Sequence, residues 1–92
     1  MKAIVQSTNG LVKDEIEMTV DEMTGLMWII ADLNRRGIAP QAGLVQGRMK
    51  AAGIWGKDYN YWSQNWRGWI FSTISGENGA AVIRLKKKGV SH

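Results

Sequence analysis

The sequence predicts one α+β domain, built as an N-terminal β-hairpin, three helices and a C-terminal β-hairpin along 92 residues. Three observations predict it. Residues 2–18 hold two apolar runs around Asn9-Gly10, and residues 70–87 hold two runs rich in β-branched residues around a Gly-bounded turn, each the pattern of a hairpin. Residues 19–69 instead repeat their apolar positions every three or four residues, the period of a helix. An apolar share of 45% suits a folded chain rather than a disordered one. The length fits a single domain, 1–92, with 2–18 as an added hairpin, 19–88 as the core and 89–92 as a tail. Five tryptophans, each able to bury roughly 200 Å², compensate for the short chain.

The first hairpin pairs Ala3-Ile4-Val5 with a strand from Leu11-Val12 to Met18, turning at Asn9-Gly10, where both residues tolerate positive φ. A first helix starts at Thr19, because Thr19-Val20-Asp21-Glu22 is a capping box. Asp21 and Glu22 suit the positive end of the helix dipole, and Arg35 and Arg36 the negative end. Val20, Met23, Leu26, Met27, Ile30 and Leu33 make its apolar face, and Gly37 provides the left-handed stop. A second helix runs from Pro40 to Ala52, with Ala42, Val45, Met49 and Ala52 inward. Gly43, Gly47 and Lys50 face the other way, with Gln46 beside them. Two glycines cost this helix about 1 kcal/mol each: either another element approaches closely, or the helix is shorter.

The third segment carries the functional reading. Seven of the eight aromatic residues lie between Trp55 and Phe71. A helix capped by Asp58 and ending near Trp69 puts Tyr59, Trp62, Trp66 and Trp69 on one side, and Asn60, Ser63, Gln64 and Arg67 on the other. The last hairpin joins Ile70–Ser75 to Ala80–Leu85 through Gly76-Glu77-Asn78-Gly79, and Lys86-Lys87-Lys88 trails from it.

Charge divides sharply along the chain. Residues 1–34 carry two lysines against six carboxylates, a net of −4; residues 35–92 carry ten Lys or Arg against two acids, a net of +8. One acidic and one basic face are expected, and the basic face attracts phosphate polyanions. Three helices followed by a hairpin over residues 19–88 resemble the winged helix-turn-helix DNA-binding domains. That resemblance implies a third helix in the major groove and a hairpin on the backbone. Carried over, Asn60, Ser63, Gln64 and Arg67 meet base edges, while Lys57, Arg84, Lys86, Lys87 and Lys88 meet phosphates. The chemistry agrees: Asn and Gln pair bidentately with adenine and Arg with guanine, and lysine supplies sequence-independent attraction. The N-terminal hairpin, the acid Glu77 at the wing tip and the many aromatics depart from the family pattern.

The expected function is therefore a small DNA-binding protein, a transcriptional regulator or accessory factor acting on duplex DNA, with a homodimer as the common form of such modules. Two other readings stand beside it. One is a phage-like protein-interaction module, an inhibitor or adaptor with a protein partner, since Trp, Tyr and Arg are the usual interface anchors. The other is a single-strand binder that stacks bases on Trp55 and Tyr61, which fall off the main aromatic stripe.

No enzyme is expected. The chain has no cysteine, its one histidine is the last residue, and its glycines are not followed by the Lys-Ser or Lys-Thr of a phosphate loop. Asp14, Glu15, Glu17, Asp21 and Glu22 lack the spacing of a calcium loop, so neither metal nor cofactor is expected. The longest apolar run, Leu26–Ala31, falls far short of the ~20 residues that span a bilayer. No leader pattern precedes it, so a cytoplasmic protein with no membrane contact is expected.

Overall fold

The computed structural model describes residues 1–54 and 60–87. The elements run β1 (Lys2–Ser7), β2 (Lys13–Glu17), α1 (Val20–Arg35), α2 (Ala42–Ala51), α3 (Tyr61–Asn65), β3 (Trp69–Glu77) and β4 (Ala80–Lys87). The mixed α+β composition agrees with expectation, but the spatial layout does not. The two hairpins join into one four-stranded sheet in the order β2-β1-β4-β3, where a separate N-terminal hairpin and a C-terminal wing around a helical core were expected. The junction is parallel: Ala3, Val5 and Ser7 of β1 stand beside Ala81, Ile83 and Leu85 of β4. All six side chains are buried on the helix-covered face, joined there by Phe71, Leu26, Leu33, Val45 and Met49.

Each turn shows which local chemistry prevails. The second hairpin turns more tightly than the expected Gly76–Gly79 loop: β3 continues to Glu77, and Asn78 (φ 52°) and Gly79 (φ 79°) alone make the turn, both at positive φ. The first hairpin instead makes a longer loop over residues 8–12. Asn9 turns it with its side chain, whose Oδ1 accepts from the Leu11 N–H (3.0 Å) and the Ser7 hydroxyl (2.6 Å). Leu11 and Val12 consequently leave the strand and are exposed.

Helix α1 begins as expected. Thr19 Oγ1 accepts from the Glu22 N–H (3.0 Å), and Glu22 Oε1 accepts from the Thr19 N–H (2.9 Å). Gly37 (φ 73°) ends it. Its buried face is rotated from the expected one, however. Met23, Gly25, Leu26 and Leu33 are inside, Ile29 and Ile30 are half-buried, and Val20 and Met27 face out. The rotation follows from Gly25: an added Cβ would lie 2.7 Å from Ile54 Cγ2, so the chain after α2 packs directly on the α1 backbone.

Helix α2 buries Ala42, Val45 and Met49 as expected, yet Ala52 is exposed and Gln46 is buried. Pro40 precedes the helix rather than opening it. Its carbonyl accepts from the Phe71 N–H (2.9 Å) and pins the α1–α2 corner to the start of β3. Among the described residues, no atom lies within 4 Å of a Cβ added at Gly43 or Gly47, so close approach of those residues does not explain the two glycines.

Candidate nucleic-acid interface

Helix α3 spans only five residues, against the expected helix from Asp58 to Trp69. Trp66 caps its end and Trp69 already belongs to β3. Gly68 (φ 85°) turns the chain from α3 into β3, and edge-to-face contacts of Trp62 on Phe71 (4.9 Å) and Trp66 on Trp69 (5.1 Å) pack the turn against the sheet. Trp62 and Trp66 are buried as expected, and Trp69 is half-buried.

The four expected base-contacting residues separate into two pairs. Asn60 and Ser63 tie α3 to α2. Gln46, 3% exposed, donates Nε2 to Asn60 Oδ1 (3.2 Å) and accepts at Oε1 from the Ser63 N–H (2.9 Å). Lys50 Nζ also donates to Asn60 Oδ1 (3.3 Å), and the Ser63 hydroxyl donates to the Asn60 carbonyl (3.2 Å). Gln64 and Arg67 are exposed.

The expected phosphate contacts also divide. Arg84 lies on the open sheet face, donating to Glu77 Oε2 (2.9 Å) and Ser75 Oγ (3.2 Å). Lys86 shares that face, whereas Lys87 alternates to the other, its Nζ 5.7 Å from the Trp69 ring centroid. Lys57, Lys88, Asp58, Tyr59 and the expected stacking residue Trp55 lie outside the described residues.

Tyr61, the other expected stacking residue, is engaged inside the fold. Its hydroxyl accepts from the buried Trp66 indole (2.9 Å) and donates to Asp14 Oδ2 (2.7 Å). Burial, and then the Asp14 carboxylate, push its phenol well above the ordinary value.

The register sorts the charges end to end rather than face to face. β4 finishes at Lys86 and Lys87 opposite Ile70 and Trp69, just after Arg67. The Pro40–Phe71 hydrogen bond brings Arg35 and Arg36, at the end of α1, to this same end. At the opposite end lie Glu77 beside the β3–β4 turn, Glu17 closing β2, and Asp21 and Glu22 opening α1.

One cluster went unnoticed in the sequence. Asp32 holds Arg35 (2.7 Å), Arg36 (3.0 Å) and Arg48 (3.6 Å). The hydrogen bonds from Arg35 and then Arg36 hold its carboxyl below the ordinary value. Three guanidiniums around one carboxylate leave an excess of two positive charges. Asp32 with Arg35 and Arg36 is legible as helical spacing; Arg48 arrives only through packing of α2 on α1.

The acidic residues have individual roles: Asp14 accepts from Tyr61, Glu15 pairs with Lys2 (3.8 Å) and Glu22 closes the capping box. Among the described residues no helix is long and apolar enough to cross a membrane. No protein-family model, curated protein or solved structure matches the chain.

Proposed function

We propose that the chain binds duplex DNA through its basic end, chiefly by phosphate contacts, as a small regulator or accessory factor. The observation that supports this reading is the gathering of Arg36, Arg67, Lys86 and Lys87 at one end of the sheet, opposite the acids. Such a dipolar molecule approaches a polyanion basic end first. Gln64 and Arg67, exposed beside those cations, are the groups available for base edges. Asn60 and Ser63 serve the site indirectly by fixing α3 on α2.

A salt-resolved binding assay on random duplex, single-stranded DNA and heparin tests the proposal. The logarithm of the duplex binding constant should fall linearly with log salt, and Lys87→Ala or Arg36→Ala should each reduce that slope by about one charge. Arg67→Ala should cost about 1–3 kcal/mol more on a selected preferred sequence than on random duplex. Equal losses would remove its base-reading role, and no duplex binding even at low salt would reject the proposal.

A protein-interaction module is the second reading, favoured by Trp28, which is 71% exposed on α1.

A further inference from the structure

Helix α1 presents an outer face of unusual composition. Val20 is 69% exposed, Met27 50% and Trp28 71%, and Thr24 and Ala31 beside them are also exposed. At 100° per residue these five positions fall within one stripe, opposite the buried Leu26 and Leu33. Thr24, Met27, Trp28 and Ala31 line a shallow depression of about 380 Å³. The small Thr24 and Ala31 lie four residues before and three after Trp28, leaving room for a large side chain against the indole.

The charges along this stripe identify the occupant. Asp21 precedes Trp28 by seven residues, and Arg35 follows it by seven. Seven residues come within about 20° of two full turns, so the three share one ridge. The ridge reads acid, indole, base. A second identical helix laid antiparallel, with the two-fold axis at Trp28, sets Asp21 opposite the partner's Arg35 at both ends. A parallel pairing would oppose like charges. Arg35 is able to serve both partners: it bonds Asp32 at 2.7 Å while its side chain stays 70% exposed, and a guanidinium has five N–H donors. The 16 residues of α1 extend about 24 Å, enough for both charge pairs and the central indoles to meet.

We infer that the chain forms a two-fold homodimer through antiparallel packing of α1 on α1, each Trp28 seated in the partner's Thr24–Ala31 depression. The interface is isologous and self-complementary, as closed symmetry requires. This inference does not depend on nucleic-acid binding.

Sedimentation equilibrium over a concentration series up to about 500 µM, with circular dichroism to confirm folding, tests it. The chain should show a reversible monomer–dimer equilibrium. Trp28→Ala should weaken it at least ~30-fold, as truncation of a central tryptophan anchor does. Asp21→Arg and Arg35→Glu should each weaken it roughly 3- to 10-fold, and the double variant should recover most of that loss. Three results would overturn the inference: a monomer throughout the series, a dimer indifferent to Trp28→Ala, or a double variant no tighter than the single ones. Trp28 and Asp21 are exposed, so their replacement leaves the core intact and a lost dimer is distinguishable from a lost fold.

Discussion

At Tyr61 a single hydroxyl joins α3 to β2. It accepts from Trp66 just beyond α3 and donates to Asp14 on β2, 47 residues earlier. Its position off the aromatic stripe suggested exposure and stacking. The partner that removes it from that role comes from another hairpin, so no local pattern announces it. The phenol has a folded-state pKa raised above its unfolded value near 10. Folding therefore favours the protonated form: its contribution is complete below about pH 10 and declines as pH rises further. In a Tyr59→Phe background, phenolate absorbance should appear only together with alkaline unfolding. A titration near pH 10 with the fold intact would contradict this. Gln46 teaches the same lesson. It looks like an outer-face polar residue of α2, yet it is buried because α3 offers it an acceptor and a donor at once.

Elements were legible where their determinants are local. The capping box at Thr19 and the stop at Gly37 form as read, because each needs only a few adjacent residues. Asn-Gly was less decisive, since Asn9 and Asn78 answer the same dipeptide in different ways. Helix α3 ended before the periodicity did: Gly68 (φ 85°) turns the chain toward β3, and Trp62 and Trp66 pack on Phe71 and Trp69 across that turn. The glycines of the helices offer a direct contrast. Gly43 and Gly47 face open space among the described residues, so Gly43→Ala and Gly47→Ala should each stabilise by about 0.5–1 kcal/mol. In thermal melts that is a rise of roughly 2–8 °C each. Gly25→Ala should give no such gain, because Ile54 Cγ2 stands 2.7 Å from the new methyl and must move. Equal melting shifts at all three positions would refute this packing account. For the outer face of α1, the omission of Trp28 from the expected apolar stripe was itself the available signal.

Across the whole molecule, the parallel β1–β4 pairing makes the first hairpin part of the core rather than an addition to it. Without residues 1–18, Ala81, Ile83 and Leu85 lose the neighbours Ala3, Val5 and Ser7, and β4 becomes an open edge. A chain lacking those residues should show no cooperative melt and poor amide dispersion in its NMR spectrum. A cooperative transition near that of the full chain would restore 19–88 as an independent domain. The same pairing joins strands almost 80 residues apart, so folding should be slow for this size.

The sequence by itself determined the α+β class, the α1 cap and the split between acidic and basic segments, because propensity, capping and net charge are properties of neighbouring residues. Only the tertiary structure decided that the two hairpins share a sheet, that the charges separate end to end, that Gln46, Asn60 and Ser63 bond one another, and that Trp28 lies outside. Those outcomes depend on which distant surfaces meet, and burial and hydrogen bonding across α1, α2 and the sheet select them.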